Sequence, residues 1–258
     1  MSLEGKGAVV TGGGRGIGAA VAGALARSGA RVVVAARSPE ETAAVAGELT
    51  AAGHAAWAVR CDVRDAEAVE SLRSVAEEYL GQIDVLVNNA GTASSAPLPK
   101  IALDEWQRLF EVNATGTFLC TRAFLPAMAE RGWGRVVNIA SVAGLRGAPY
   151  IAAYCAAKHA VVGFTRAVAV EYAQRGVTVN AICPGYVDTP MTEASIANIV
   201  EKTGRSADEA RRLLERQSPQ NRLMTPEEVA WLTVALCGEE ARGVNGQAIA
   251  LDGGAVQA

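Results

Sequence analysis

The chain has few of the residues that bind metals or form disulfide frameworks. Its 258 residues include two histidines, and its five cysteines are scattered at positions 61, 120, 155, 183 and 237 without any Cys-x-x-Cys pair. The odd number and wide spacing predict neither a disulfide framework nor a zinc site. Neither histidine has a ligand partner nearby in the sequence, so we expect no bound metal.

Long apolar runs and excess positive charge are missing as well. No run of eighteen apolar residues occurs, no signal peptide opens the chain, and the formal net charge is -3. We therefore expect no membrane span and no nucleic-acid partner, and the unpaired cysteines favour a reducing cytoplasm.

One short stretch carries a serine, a tyrosine and a lysine whose side chains could meet. An apolar run at 135–140 predicts a buried strand that ends at Ser141, and the Ala-rich segment 150–174 predicts a helix. Tyr154 and Lys158 are four residues apart and leave one face of that helix. A hydroxyl, a phenol and an ammonium group could therefore converge at one edge of a sheet.

Such a trio suits proton transfer. A free phenol has a pKa of about 10, and a neighbouring cation stabilises its anion. Tyr154 beside Lys158 could thus exchange a proton with an alcohol or a ketone, while Ser141 holds the substrate oxygen. The alternative is a surface tyrosine beside a lysine, because Tyr-x-x-x-Lys alone is common by chance.

The rest of the chain alternates between short apolar segments and helical patterns. The predicted strands are residues 6–11, 31–36, 55–61, 83–88, 135–140, 177–183 and 247–251. Seven strands separated by helices predict an α/β fold, with one parallel sheet covered on both faces, within a single domain at 1–258. The long helical region at 103–131 contains Asn113 and Gly116, so we expect a kink there. Ligands bind beyond the carboxyl ends of such strands.

A glycine-rich turn follows the first strand. The segment from Gly12 to Gly18 lets the backbone approach a pyrophosphate, which would rest on the N-terminus of the next helix. Its spacing differs from the usual G-x-G-x-x-G fingerprint, and the alternative is a loop that merely tolerates glycine. The second strand ends at Ala36, where NAD-dependent enzymes commonly carry a carboxylate. Arg37 and Arg15 could instead face a 2′-phosphate, so the sequence favours NADP(H) over NAD(H), unless both arginines are merely solvated.

Taken together, these landmarks resemble the short-chain dehydrogenase/reductase family. The resemblance covers essentially the whole chain and rests on Thr11–Gly18, Asp62-Val63, Asn88–Gly91, Asn113, Ser141, Tyr154-x-x-x-Lys158 and Pro184-Gly185. It implies a Rossmann-type, doubly wound seven-stranded parallel sheet in a three-layer α/β/α sandwich. It also implies a homotetramer.

The resemblance further implies a role for each matching residue. Tyr154 would be the general acid in reduction, Lys158 would lower the phenol pKa and bind the nicotinamide ribose, and Ser141 would hold the substrate oxygen. Asn113 would stabilise a water that links Lys158 to solvent. The residues implied to bind the cofactor are Gly12, Arg15, Gly16, Ile17, Gly18, Arg37, Asp62, Val63, Asn89, Ala90, Gly91, Tyr154, Lys158, Pro184, Gly185, Val187 and Thr189.

Substrate choice is expected to lie mostly in residues 92–100, 142–150 and 186–222. The segment 186–222 contains an amphipathic helix with Ser206 as the expected N-cap, and it is interpreted as a mobile lid; the alternative is a packing helix at a subunit interface.

The chain is most similar to 3-oxoacyl-[acyl-carrier-protein] reductases and polyketide ketoreductases. Leu145, Tyr150, Tyr186 and Met191 would form an apolar pocket for an acyl chain, and Arg131 and Arg175 would meet an acidic acyl-carrier protein. The substrate is therefore predicted to be a 3-oxoacyl thioester. Arg146 keeps open an alternative, a secondary-alcohol or 3-hydroxy-acid dehydrogenase. A dinucleotide-sensing regulatory protein is a third possibility, because a fold does not settle a function.

Overall fold

The computed structural model describes residues 2–257 and contains one sheet of seven parallel strands. The strands are β1 (Gly7–Thr11), β2 (Arg31–Ala36), β3 (Ala56–Arg60), β4 (Val85–Asn88), β5 (Gly134–Ile139), β6 (Val177–Pro184) and β7 (Ala248–Leu251). They lie in the order β3-β2-β1-β4-β5-β6-β7. The chain therefore winds outward from β1 in both directions, which confirms the doubly wound parallel sheet.

Helices cover both faces of this sheet. They are α1 (Gly16–Arg27), α2 (Pro39–Ala51), α3 (Ala66–Leu80), α4 (Leu103–Phe110), α5 (Gly116–Glu130), α6 (Ala152–Glu171), α7 (Pro190–Thr203), α8 (Ala207–Glu215) and α9 (Pro226–Cys237). Because side chains alternate along a strand, neighbouring valines serve different cores. Val10 packs in the cluster formed with α1 and α9, whereas Val9 packs in the cluster formed with α3, α5 and α6. These two cores confirm the three-layer arrangement.

The expected kink at Asn113 is a single π-helical turn, Glu111–Thr115, between α4 and α5. α6 begins at Ala152, two residues later than the pattern predicts, because Tyr150 adopts a left-handed backbone conformation with φ of 67°. The segment 186–222 contains two helices, α7 and α8, where the sequence predicted one. Ser206 does cap α8 in a full capping box with Glu209.

Within residues 2–257, no helix is both long enough and apolar enough to cross a membrane.

Candidate active site

The polar residues singled out in the sequence lie where β1, β4, β5 and β6 end. Because these strands are parallel neighbours, their carboxyl ends bring the following loops to one edge of the sheet. Asn88 ends β4, Ser141 lies just beyond β5, and Pro184 ends β6.

Ser141 and Tyr154 lie together at this edge. Ser141 starts a short 3-10 turn, Val142–Gly144, and its hydroxyl accepts a hydrogen bond from the Ala143 amide at 3.1 Å. Burial raises the pKa of Tyr154 to about 12, although the hydrogen bond with Ser141 acts in the opposite direction. The phenol is therefore protonated at neutral pH and can donate its proton.

Lys158 is buried one helical turn further along α6. Its Nζ donates a hydrogen bond to the Ile139 carbonyl at 2.9 Å and lies 5.8 Å from the centroid of the Tyr154 ring. Burial lowers the pKa of Lys158 to about 8. Burial is the largest influence on the pKa of each group, so the expected effect of Lys158 on the phenol stays a prediction. Sequence spacing could place the two residues together, but it could not predict how strongly each is desolvated.

Asn113 joins the same cluster through the π-helical turn. Its Nδ2 donates to the carbonyls of Thr92 and Leu109, both at 2.9 Å, and its Oδ1 accepts from the Thr92 amide at 3.2 Å. A Cβ built on Gly91 would lie 3.0 Å from Asn113 Oδ1 and 3.6 Å from Lys158 Nζ. Asn113, Gly91 and Lys158 therefore converge at this edge of the sheet.

The glycine-rich turn leaves the N-terminus of α1 open. Arg15 occupies the N-cap without a side-chain capping bond, and the first turn of α1 contains no acidic residue. The first N–H groups of the helix therefore lack a side-chain acceptor and suit an anion. Gly12 has φ of 63°, and a Cβ at Gly18 would lie 2.2 Å from the Gly12 carbonyl oxygen. The turn thus fits the pyrophosphate of a dinucleotide.

Thr11 and Asn89 hold this turn against the end of β4. Thr11 Oγ1 accepts hydrogen bonds from the amides of Asn89 at 3.1 Å and Ala90 at 3.2 Å. Asn89 Nδ2 donates to the carbonyls of Thr11 at 3.0 Å and Gly12 at 2.9 Å. The sequence interpretation gave Thr11 no role of its own; its position as the last residue of a strand beside the glycine turn was the available signal.

The remaining residues predicted to bind a cofactor fall on both sides of this turn. A Cβ built on Gly16 would lie 3.3 Å from Thr189 Cγ2. The loop after β6 therefore faces the glycine-rich turn and forms one wall beside it. In that wall Gly185 packs on Asp252, and Val187 pairs with Met224. Ile17 turns inward and packs on the core beneath α1.

At the adenine end, Val63 is buried against Gly116. Asp62 forms an ion pair with Arg64 at 2.7 Å. The hydrogen bond with Arg64, and secondarily the charges of Arg64 and Arg37, hold the pKa of Asp62 below its usual range although burial opposes them. Arg37 is exposed and lies near Asp62.

The sequence reasoning missed a carboxylate at the proposed 2′-phosphate position. Arg15 Nη1 lies 3.2 Å from Glu41 Oε1, on α2. A Cβ built on Gly14 would lie 2.8 Å from Glu41 Cβ, so the first turn of α2 packs directly on the glycine loop. The sequence analysis considered only the end of β2, so it did not include this carboxylate of the following helix beside Arg15.

The predicted substrate side is apolar. Tyr150, Tyr186 and Met191 are exposed, and Leu145 is half-buried against the cluster that contains Val161 and Val162. Arg146 turns away, since its Nη1 donates to the Ala255 carbonyl at 3.3 Å. The segment 186–222 meets the loop after β4, where Asn198 Nδ2 donates to Ser95 Oγ at 3.0 Å.

Arg131 and Arg175 precede β5 and β6, so they lie at the amino edge of the sheet, opposite Ser141. The Arg131 guanidinium also donates a hydrogen bond to the Ile83 carbonyl. Within one subunit, these two arginines therefore do not border the site formed by Ser141, Tyr154 and Lys158.

This fold, with an open glycine turn and a Ser-Tyr-Lys cluster at the carboxyl edge, defines a nicotinamide-dependent oxidoreductase. Residues 6–199 match the family model for short chain dehydrogenases, and the chain belongs to that family. Many proteins are similar to this chain, among them two that match in sequence and one that matches in structure. A 3-oxoacyl-[acyl-carrier-protein] reductase from Synechocystis is 41% identical, over 99% of this chain and 98% of its own. A D-beta-hydroxybutyrate dehydrogenase from Cupriavidus necator is 39% identical, over 98% of each chain. The crystal structure of a variant of the actinorhodin polyketide ketoreductase with NADPH superimposes with a TM-score of 0.94 at 40% identity, covering 99% of both chains.

Proposed function

We propose that this protein is an NADPH-dependent reductase that converts the ketone of a 3-oxoacyl thioester to a secondary alcohol. One observation supports it most: the side chains predicted to face the substrate, Leu145, Tyr150, Tyr186 and Met191, are apolar or aromatic, and the one arginine close to Leu145 and Tyr150 in sequence, Arg146, is bound to the Ala255 carbonyl. A free 3-oxo acid would need a cation for its carboxylate, whereas a thioester is neutral and suits an apolar entrance. The 41% identity to a 3-oxoacyl-[acyl-carrier-protein] reductase points the same way.

In this proposal, Ser141 and Tyr154 hold the substrate ketone oxygen with their two hydroxyls. A nicotinamide cofactor, when bound, would supply the hydride for the carbonyl carbon. The Tyr154 phenol gives its proton to the developing alkoxide, and its pKa of about 12 keeps that proton in place at neutral pH until it is needed. Lys158 then returns a proton toward Tyr154, and Asn113 would stabilise a water that links Lys158 to solvent.

The same proposal assigns the cofactor to the edge where these strands end. The glycine-rich turn from Gly12 to Gly18, which leads into α1, would hold the pyrophosphate, and the segment Asn89–Gly91 would support the ribose. Pro184, Gly185, Val187 and Thr189 would form the nicotinamide wall, with Asp62 and Val63 at the adenine. Arg15 and Arg37 would meet a 2′-phosphate, which is why we propose NADPH.

The test compares acetoacetyl-CoA with free acetoacetate as oxidants of NADPH. Turnover on the thioester with little on the free acid is the expected result. Turnover confined to free ketones or free acids would reject the proposal, and Arg146→Gln would then show whether that arginine holds the acid.

A carrier protein is a further proposed partner, but not through Arg131 and Arg175 of the same subunit. These arginines lie at the opposite edge of the sheet from Tyr154. Their position therefore does not contribute to the argument for a thioester substrate. We also propose a cytoplasmic homotetramer.

A second candidate is a 3-hydroxy-acid dehydrogenase working in the oxidative direction. The 39% identity to a D-beta-hydroxybutyrate dehydrogenase favours it. Oxidation of 3-hydroxybutyrate with NAD⁺, faster than acetoacetyl-CoA reduction under matched conditions, would establish this candidate. The cluster of Asn113, Ser141, Tyr154 and Lys158 argues against a purely regulatory protein, because sensing a dinucleotide needs no proton donor.

A further inference from the structure

Three arginines and two carboxylates lie beside the glycine-rich turn and the carboxyl ends of β2 and β3. Arg15 pairs with Glu41 at 3.2 Å. Arg64 pairs with Asp62 at 2.7 Å. The third arginine, Arg37, is exposed and takes part in no ion pair within residues 2–257. It is therefore the guanidinium of the three that can meet an incoming phosphate without first leaving a carboxylate.

Arg37 lies where the second strand ends, beside the glycine-rich turn. It directly follows β2, and the Gly13 amide of the turn donates to the Ala35 carbonyl of β2 at 3.1 Å. The turn is the place proposed for the pyrophosphate of the cofactor. In dinucleotide-binding folds, an arginine near the end of this strand accommodates a 2′-phosphate. Arg37 thus has both the position and the charge for that group.

Asp62 is the carboxylate that could draw Arg37 away from a phosphate. The Cys61 amide donates to the Ala36 carbonyl at 2.9 Å, so the residues that follow this pair, Asp62 and Arg37, are neighbours across β2 and β3. The hydrogen bond with Arg64 is the main cause that lowers the pKa of Asp62, and the charge of Arg37 acts in the same direction. Two arginines therefore compete for one carboxylate.

Arg64 holds both oxygens of this carboxylate. Its Nε lies 3.1 Å from Oδ1 and 3.1 Å from Oδ2 of Asp62, and its Nη2 donates to Oδ2 at 2.7 Å. Its backbone amide also donates to Oδ1 at 3.1 Å. Such charge-assisted bonds from a planar guanidinium are stronger than bonds between neutral groups. While Arg64 is in place, Asp62 is engaged and its charge is compensated.

We propose that Arg64 sets the cofactor preference indirectly, by pairing with Asp62 and so leaving Arg37 to bind the 2′-phosphate of NADP(H). Without Arg64, Asp62 would attract Arg37 and would also add an uncompensated negative charge near the phosphate. This inference rests on the proposed function, because it takes NADPH as the cofactor. Arg64 is a positioning residue, since it acts on the cofactor through two other side chains.

The test measures the dissociation constants of NADP⁺ and NAD⁺ by calorimetry and compares their ratio among variants. Changes in adenine binding cancel in this ratio, because both cofactors carry the same adenine. Arg64→Gln should shift the ratio toward NAD⁺ by about tenfold. Arg60→Gln, which removes an exposed arginine from the end of β3, is the control and should shift the ratio far less.

Combining Arg64→Gln with Asp62→Asn separates this mechanism from a direct contact. The double variant lacks the carboxylate that would capture Arg37, so its ratio should return close to that of the natural protein. A ratio that stays as low as in Arg64→Gln would show that Arg64 touches the phosphate itself, and this would overturn the proposal. An unchanged ratio in Arg64→Gln would overturn it as well.

A crystal structure of Arg64→Gln gives a second readout, which does not depend on a cofactor. An ion pair between Arg37 and Asp62 is the expected result, and an Arg37 that remains apart from Asp62 would contradict the proposal. Arg64 is 38% exposed, so its replacement leaves the core intact. A natural protein that binds NAD⁺ more tightly than NADP⁺ would reject NADPH in the proposed function. The difference in ratio between the natural protein and Arg64→Gln decides the role of Arg64 separately.

Discussion

At the scale of single residues, burial shifts the pKa values of the two titrating groups of the candidate site in opposite directions. Burial disfavours the charged form of each group, so it raises the pKa of Tyr154 to about 12 and lowers that of Lys158 to about 8. Near neutral pH, Tyr154 is then a stable proton donor, while Lys158 lies close to its midpoint. Lys158 is therefore the group expected to control the pH dependence of the free enzyme.

This difference predicts the shape of the pH profile. For ketone reduction, kcat/KM should be level below about pH 8 and fall above it, because Lys158 loses the proton that it must pass to Tyr154. Alcohol oxidation should rise with pH over the same range, since it needs an ionised phenol. Initial rates from about pH 6 to about pH 10 in both directions measure this. A reduction profile that stays level over that whole range would remove Lys158 from the proton path.

Tyr154→Phe separates chemistry from binding. Loss of the phenol hydroxyl should lower kcat for reduction by about 10² to 10⁴-fold, the usual contribution of a positioned acid. Cofactor affinity, measured by quenching of protein fluorescence, should change little, because the pyrophosphate is expected at the N-terminus of α1. Tyr172→Phe is the control, since this tyrosine follows α6 and packs in the core at a distance in sequence from Ser141. Unchanged turnover in Tyr154→Phe would refute the role assigned to it.

Glu41 is expected to influence the choice between cofactors. Its carboxylate pairs with Arg15 at 3.2 Å, so it both occupies that arginine and adds negative charge where a 2′-phosphate would lie. Glu41→Gln should therefore tighten NADPH binding by several-fold and leave NADH nearly unaffected. Glu40→Gln on the same turn is the matched control. Equal effects on both cofactors would mean that the 2′-phosphate lies elsewhere.

At the scale of elements, the strands and most helices could be predicted because their signals are local. Runs of valine define β1 and β2, and Asp65, Ser206 and Thr225 mark helix starts that the structure confirms with capping bonds. The type of the irregular turn at Asn113 could not be predicted, because its side chain bonds to Thr92, which belongs to a distant loop. The contact of Glu41 with Arg15 depends in the same way on how α2 packs against the glycine turn.

α7 and α8 form an element pair whose attachment can be tested. Arg211 on α8 reaches Asp188 and Glu193, both at 2.7 Å, and so fastens α8 to the start of the proposed lid. Arg211→Gln should raise KM for the thioester several-fold, with little effect on cofactor affinity. The reason is that α7 and α8 become more mobile without these ion pairs and so contribute less to substrate binding. Arg212→Gln, the exposed neighbour, should behave like the natural protein. A lower kcat with an unchanged KM would contradict a lid that acts on substrate binding.

At the scale of the whole molecule, large apolar side chains remain exposed on two separate surfaces. One lies on α5 and α6, where Phe118 is exposed and Val170 is 80% exposed. The other lies on α9, where Trp231 is 70% exposed. Exposed apolar surface commonly marks contacts between subunits. Two different self-complementary surfaces on one chain would produce a tetramer with three twofold axes.

We therefore expect a homotetramer that can be taken apart one interface at a time. Phe118→Arg should give dimers held by the α9 surface, Trp231→Arg should give dimers held by α5 and α6, and the double variant should be monomeric, since a buried unpaired charge is costly at either interface. Tyr79→Arg is the matched control: Tyr79 is another exposed aromatic residue, on α3, but it stacks on Trp57 of its own chain with ring centroids 5.4 Å apart. Light scattering at micromolar concentration measures the masses of all five proteins. A monomeric natural protein would contradict the expectation, and a tetramer that survives both substitutions would place the interfaces on other surfaces.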